Sequence, residues 1–180
     1  LEDIPNDKLI LISMGTLFNQ QPELYTTCFE AFRESKATVI LSVGKHTDID
    51  KFNDIPSNFI VRNYVPQLGI LQQADIFITH GGMNSSSEGL YFGVPLLVIP
   101  VMGDQTIVAK RVEELGVGLQ LNRQKLDAVT LQNTTEKVLS NPSFKERSLE
   151  IGESLREAGG YKKAVEVILK FKEDANVQIK

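Results

Sequence analysis

The sequence predicts an α/β fold: one domain on a doubly wound, Rossmann-like parallel sheet of about six strands, followed by a C-terminal helical layer. Three observations point there. Short, largely apolar runs of strand length recur through residues 8–121. Amphipathic segments of helical length separate them, and strands apolar on both faces need helices on both sides of the sheet. Beyond residue 126 only helical periodicity is left.

Residues 8–14 (Lys-Leu-Ile-Leu-Ile-Ser-Met) form a strand ended by Gly15, and 22–35 form an amphipathic helix. Strands follow at 38–43, at 59–62 and at 75–79, the last running into His80-Gly-Gly82. Residues 84–92 are predicted helical, 95–99 a strand, 105–115 a helix and 118–121 the final strand. Three helical stretches then occupy 127–140, 142–157 and 161–174, broken at Asn141-Pro142 and Gly159-Gly160. Residues 8–121 are thus the parallel core and 127–174 the C-terminal helices. Residues 1–7 open without an initiator Met and are expected to be a linker from a longer chain. The last six or so are expected to fray.

With 180 residues, 42% of them apolar, the chain is large enough for one substantial core and short for two domains. A net charge of −4, with Lys and Arg scattered, leaves no basic excess for a nucleic-acid partner. Cys28 is the single cysteine, which rules out an intrachain disulfide; with only two histidines it gives no zinc-ligand spacing. A reducing, cytoplasmic location is expected. Apolar stretches such as 96–102 fall far short of the roughly 20 residues that cross a bilayer, and no signal-peptide pattern is present. Cys28 reads as core and His46 as a solvated loop residue.

In a doubly wound sheet, ligands bind outside the carboxyl ends of the strands where the strand order reverses. Three turns follow strand ends here: Gly15-Thr16, residues 80–87, and Gly103-Asp104-Gln105. In the second, His80-Gly-Gly82 leads into Met-Asn84-Ser85 at a helix start. Glycines there admit a close backbone approach, and the free amides and positive dipole end attract an anion; a diphosphate fits. Ser85-x-x-Glu88 equally fits a capping box, whose carboxylate would fold back on its own helix. Tyr64 offers a flat apolar face for stacking, or it covers the core. Gln67 after proline suits a ligand contact or a helix opening, and Asp104 a ligand contact or an acidic N-cap. Gly15 and Thr16 face the same cleft and suit a distal phosphate, or form an ordinary turn.

Between residues 64 and 105 the chain reads Tyr-Val-Pro-Gln, then Thr79-His-Gly-Gly-Met-Asn-Ser-Ser-Ser-Glu88, then Gly93-Val-Pro95, Pro100 and Asp104-Gln105. This order and spacing resembles the donor-binding signature of the UDP-dependent glycosyltransferases, nearest in pattern to the bacterial macrolide-type enzymes. The resemblance implies two facing Rossmann-like domains, the GT-B arrangement, with this chain as the C-terminal, donor-binding half. It implies inverting transfer from a nucleoside diphosphate sugar, expected to be a UDP-sugar, with no cofactor and no metal. His80 is then expected on the diphosphate, Asn84 and Ser85 on phosphate oxygens, and Glu88 on both ribose hydroxyls. The Val65 backbone would read the uracil edge, Gln67 would approach the ribose, and Asp104 and Gln105 would hold the sugar. Tyr64 stands where plant members carry a stacking tryptophan.

In that family the histidine that activates the acceptor lies in the preceding N-terminal domain, with an acidic partner. The chain is therefore expected to bind donor and to transfer sugar only with an acceptor-binding domain, of the same protein or a separate subunit. The alternatives are a natural single-domain subunit and a non-catalytic nucleotide-binding module. No Gly-x-Gly-x-x-Gly follows the first strand, which argues against a generic Rossmann oxidoreductase.

Overall fold

A computed structural model describes residues 8–16 and 21–177. The expected linker, 1–7, lies outside them, as do residues 178–180 at the end expected to fray. Six strands form one sheet: β1 (Leu9–Ser13), β2 (Thr38–Ser42), β3 (Phe59–Arg62), β4 (Ile76–Thr79), β5 (Leu96–Val98) and β6 (Gly118–Gln120). Every pairing is parallel, in the order β3-β2-β1-β4-β5-β6. The order reverses between β1 and β4, so the crevice for a ligand lies at their carboxyl ends.

Side chains alternate along each strand, so the sheet carries two cores. Ile10, Ile12, Val39, Leu41, Ile76 and Ile78 face one side, under α1 (Pro22–Phe32) and α5 (Ala128–Ser140). Leu9, Leu11, Ile40, Phe77, Leu96 and Val98 face the other. That face is covered by α2 (Gln67–Leu71), α3 (Met83–Tyr91) and α4 (Gln105–Glu114). Cys28 is fully buried in the first core, which pushes its thiol pKa up to about 12.

Element boundaries shift for local reasons. The first helix stops at Phe32, short of residue 35, and the turn that follows is held by Asn58, whose Nδ2 donates to the carbonyls of Phe32, Ser35 and Ala37 at 2.9, 3.2 and 3.0 Å. Asp75 is not in a strand: its carboxylate accepts from the Leu9 amide at 2.8 Å and pairs with Lys8 at 2.9 Å, tying β1 to β4 at their amino ends.

The three C-terminal helices exist but are divided between the faces rather than stacked as one layer. α5 buries Leu131, Thr135 and Val138 beside α1. α6 (Pro142–Glu157) sets Phe144 against the first core and Ile151 against the second, with Ser148 and Gly152 buried where it passes the amino end of β6 and meets α3. α7 (Gly160–Val177) begins at the glycine break and is exposed through residue 174.

Candidate functional site

One cleft of about 1100 Å³ runs along the carboxyl ends of β3, β2, β1 and β4. Ten of the twelve expected site residues line it: Gly15, Thr16, Tyr64, Val65, Gln67, His80, Gly82, Asn84, Ser85 and Glu88. Asp104 and Gln105 stand beyond its end, at the start of α4.

His80, directly after β4, is the most confined of them. Its ring lies between two backbones: a Cβ added at Gly15 would come within 2.6 Å of Cε1, and one at Gly82 within 2.5 Å of Nε2. Neither position admits a side chain without moving the ring, and Gly15, at φ +78°, also holds a left-handed backbone. Burial lowers the His80 pKa, opposed by the charge of Asp104 and by a hydrogen bond to the Ser13 backbone. At neutral pH the ring is a neutral donor–acceptor.

Gly82 is the N-cap of α3 and supplies no capping side chain. The first intrahelical bond runs from the Ser86 amide to the Gly82 carbonyl at 2.9 Å, so the amides of Met83, Asn84 and Ser85 point out of the helix without a partner among the described residues. With the helix starting at Met83, Ser85 lies inside it and cannot cap it, so Ser85-x-x-Glu88 is no capping box. Glu88 instead accepts a 2.7 Å hydrogen bond from Gln67 Nε2, across the cleft from its own helix. Gln67 opens α2, one of the two roles open to it, and its amide lies in the cleft on Glu88.

Tyr64 is 81% exposed, so it does not cover the core, and its ring is free to carry a flat ligand. The Val65 side chain is buried, while its amide and carbonyl enter no hydrogen bond among the described residues. Asp104 has helical dihedrals and makes no capping bond; its exposed carboxylate is near enough to His80 to influence the ring's ionisation. Gln105 has half of its amide already engaged. It is buried, and its Oε1 accepts from the Val101 and Met102 amides at 2.8 and 3.1 Å, which leaves only Nε2 for a ligand.

The cleft also includes Ser42, Gly44, Lys45, His46 and Asn63, which the motif does not contain. Gly44 closes β2 as Gly15 closes β1, so strand-end position was the signal that would have found them. His46 is exposed, as a solvated loop residue should be, yet it sits on the cleft's rim. No group of three or more His, Cys, Asp or Glu able to hold a metal ion occurs among the described residues. No helix among them is long and apolar enough to cross a membrane.

The sequence profile of UDP-glucoronosyl and UDP-glucosyl transferases matches residues 6–156. The chain belongs to this family. It is 49% identical over 168 residues to a UDP-glucosyltransferase of Bacillus subtilis, YojK, itself described as uncharacterized, covering 93% of this chain and 42% of that protein. It is 32% identical to the oleandomycin glycosyltransferase of Streptomyces antibioticus, over 90% of this chain and 38% of the other. The transferase fold is equally plain in solved structures. The kitacinnamycin glycotransferase superposes with a TM-score of 0.85 at 35% identity, covering 91% of this chain and 42% of that one. The calicheamicin glycosyltransferase CalG4 gives 0.91 at 24% identity, covering 96% and 46%, a likeness of fold. The chain spans about two fifths of the length of the bacterial transferases it matches, and corresponds to one half of the GT-B structures.

Proposed function

We propose that this chain binds a nucleoside diphosphate sugar, with uridine as the base, as the donor domain of an inverting, cytoplasmic glycosyltransferase. One observation carries the reading: a single cleft collects a free aromatic face, a carboxylate turned off its own helix, and a helix amino end beside a confined histidine. That sequence of chemistries matches base, ribose and diphosphate in their covalent order. Tyr64 stacks on the base and the Val65 backbone reads its edge. Glu88, held by Gln67, accepts from the ribose hydroxyls. His80 and the α3 amides at Asn84 and Ser85 take the diphosphate, with Gly15 and Thr16 at its distal end, and Asp104 and Gln105 Nε2 face the sugar.

In the transfer, an acceptor oxygen attacks the anomeric carbon, the bond to the diphosphate breaks, and the electron pair leaves with the phosphate. This chain stabilises the departing charge through the oriented amides and His80. The one carboxylate among the described residues that line the cleft is engaged with Gln67, so the donor set suits charge uptake by hydrogen bonds rather than a resident cation. The acceptor's proton goes to a base in an acceptor-binding domain, of the same protein or a separate subunit. The acceptor is a small molecule.

Calorimetric titration with UDP, UDP-glucose, a thymidine diphosphate sugar and NAD tests the assignment. UDP and UDP-glucose should bind, NAD should not, and His80→Ala and Glu88→Ala should each weaken binding. A folded chain that binds no nucleoside diphosphate refutes the reading; preference for thymidine reassigns the base recognised at Tyr64.

A further inference from the structure

Lys45 is the one lysine or arginine among the described residues that line the cleft. Its position follows from strand order, β2 lying between β3 and β1. Ser13 of β1 pairs with Ser42 of β2, and on its other edge β2 runs on beside β3, the Val43 amide donating to the Arg62 carbonyl and the Gly44 amide to the Asn63 carbonyl, each at 3.0 Å. Lys45 follows Gly44 beyond the carboxyl end of β2 and lines the same cleft as Gly15 and Thr16, which close the neighbouring β1. The side chain is exposed and enters no ion pair or hydrogen bond among the described residues. The acid nearest it in sequence, Asp48, is paired with Lys51 at 3.7 Å. Among the described residues, the cleft's other ionisable groups are His46 at the rim, His80 with its lowered pKa, the Tyr64 phenol, and Glu88 bound to Gln67.

We propose that Lys45 is a phosphate-side contact of the bound nucleotide: its ammonium closes on the diphosphate from the β2 side, opposite the α3 amides. This rests on the donor-site reading above and adds to it a full positive charge from outside the family-like motif. An ammonium is a mobile point charge on a long stem, so it follows the phosphates without fixing their geometry. Its contribution therefore scales with phosphate charge and is screened by salt.

The test is calorimetric titration of the parent chain, Lys45→Ala and Lys45→Arg with UDP and with uridine, at low and high salt. At low salt, Lys45→Ala should weaken UDP binding about fivefold, the scale of an exposed charge-assisted contact. The deficit should shrink at high salt, Lys45→Arg should recover most of the loss, and uridine should bind all three alike. Unchanged UDP affinity in Lys45→Ala overturns the inference, and so does an equal loss for uridine. A parent chain that binds no nucleoside diphosphate overturns the donor-site reading with it, whereas a parent that binds UDP no better than Lys45→Ala overturns this inference alone.

Discussion

His80 sits between Gly15 and Gly82 with its pKa lowered by burial, and this fixes how it responds to pH. As pH falls through the ordinary histidine range near about 6.5, the unfolded chain takes up the proton first, so stability should fall with pH below that point. His80→Gln should flatten this slope in thermal melts across pH. Asp104 raises the His80 pKa, so Asp104→Asn should lower it further, read from the imidazole shifts in an NMR titration. Glu88 permits a sharper test. Two hydrogen bonds from ribose hydroxyls to a carboxylate correspond to roughly a 10- to 100-fold loss in UDP affinity on Glu88→Ala. The loss should be smaller when measured with the 2′-deoxynucleotide, and an equal loss for both ligands would put Glu88 elsewhere. These residues were legible because each belongs to a motif word whose alternatives differ in geometry: Glu88 either capped its helix or left it. Gln105 was not, because one side chain buried against its own turn and one reaching a sugar share the same sequence position.

Among the elements, the carboxyl ends of β1 and β4 bear the site while their amino ends bear stability. Asp75→Ala removes the tie to Leu9 and Lys8 and should cost about 1–2 kcal/mol in denaturant melts, with the Lys8 ion pair discounted for its exposure, and leave UDP affinity unchanged. Gly82→Ala should do the reverse: the added methyl displaces the His80 ring and should abolish most nucleotide binding with little loss of fold. The strands and their alternation with helices could be read from apolar periodicity, and all six fall within the runs read as strands, such as Leu9-Ile-Leu-Ile. Periodicity does not say which sheet face a helix covers, so the path of α6 from one core to the other was hidden; α2, too short to show a period, was signalled only by Gln67 following proline. Lys45 went unremarked for a related reason: its importance comes from β2 lying next to β1, which is a fact of strand order.

At the scale of the whole molecule, the chain matches about two fifths of its bacterial relatives' length and holds the half that binds the leaving group under our proposal. The chain alone should take up UDP-glucose and transfer no glucose, and coexpression with the amino-terminal domain of a relative should restore transfer, followed by mass spectrometry of the acceptor. Transfer by the chain alone would mean that a base has been overlooked in it. The most direct test of the central claim is an amide chemical-shift map of the isotope-labelled chain titrated with UDP. The account predicts shifts concentrated at Tyr64, Val65, His80, Gly82, Asn84, Ser85 and Glu88, along one line of the cleft, with α7 silent. A well-dispersed spectrum that does not move with UDP, or that moves away from this cleft, would contradict it.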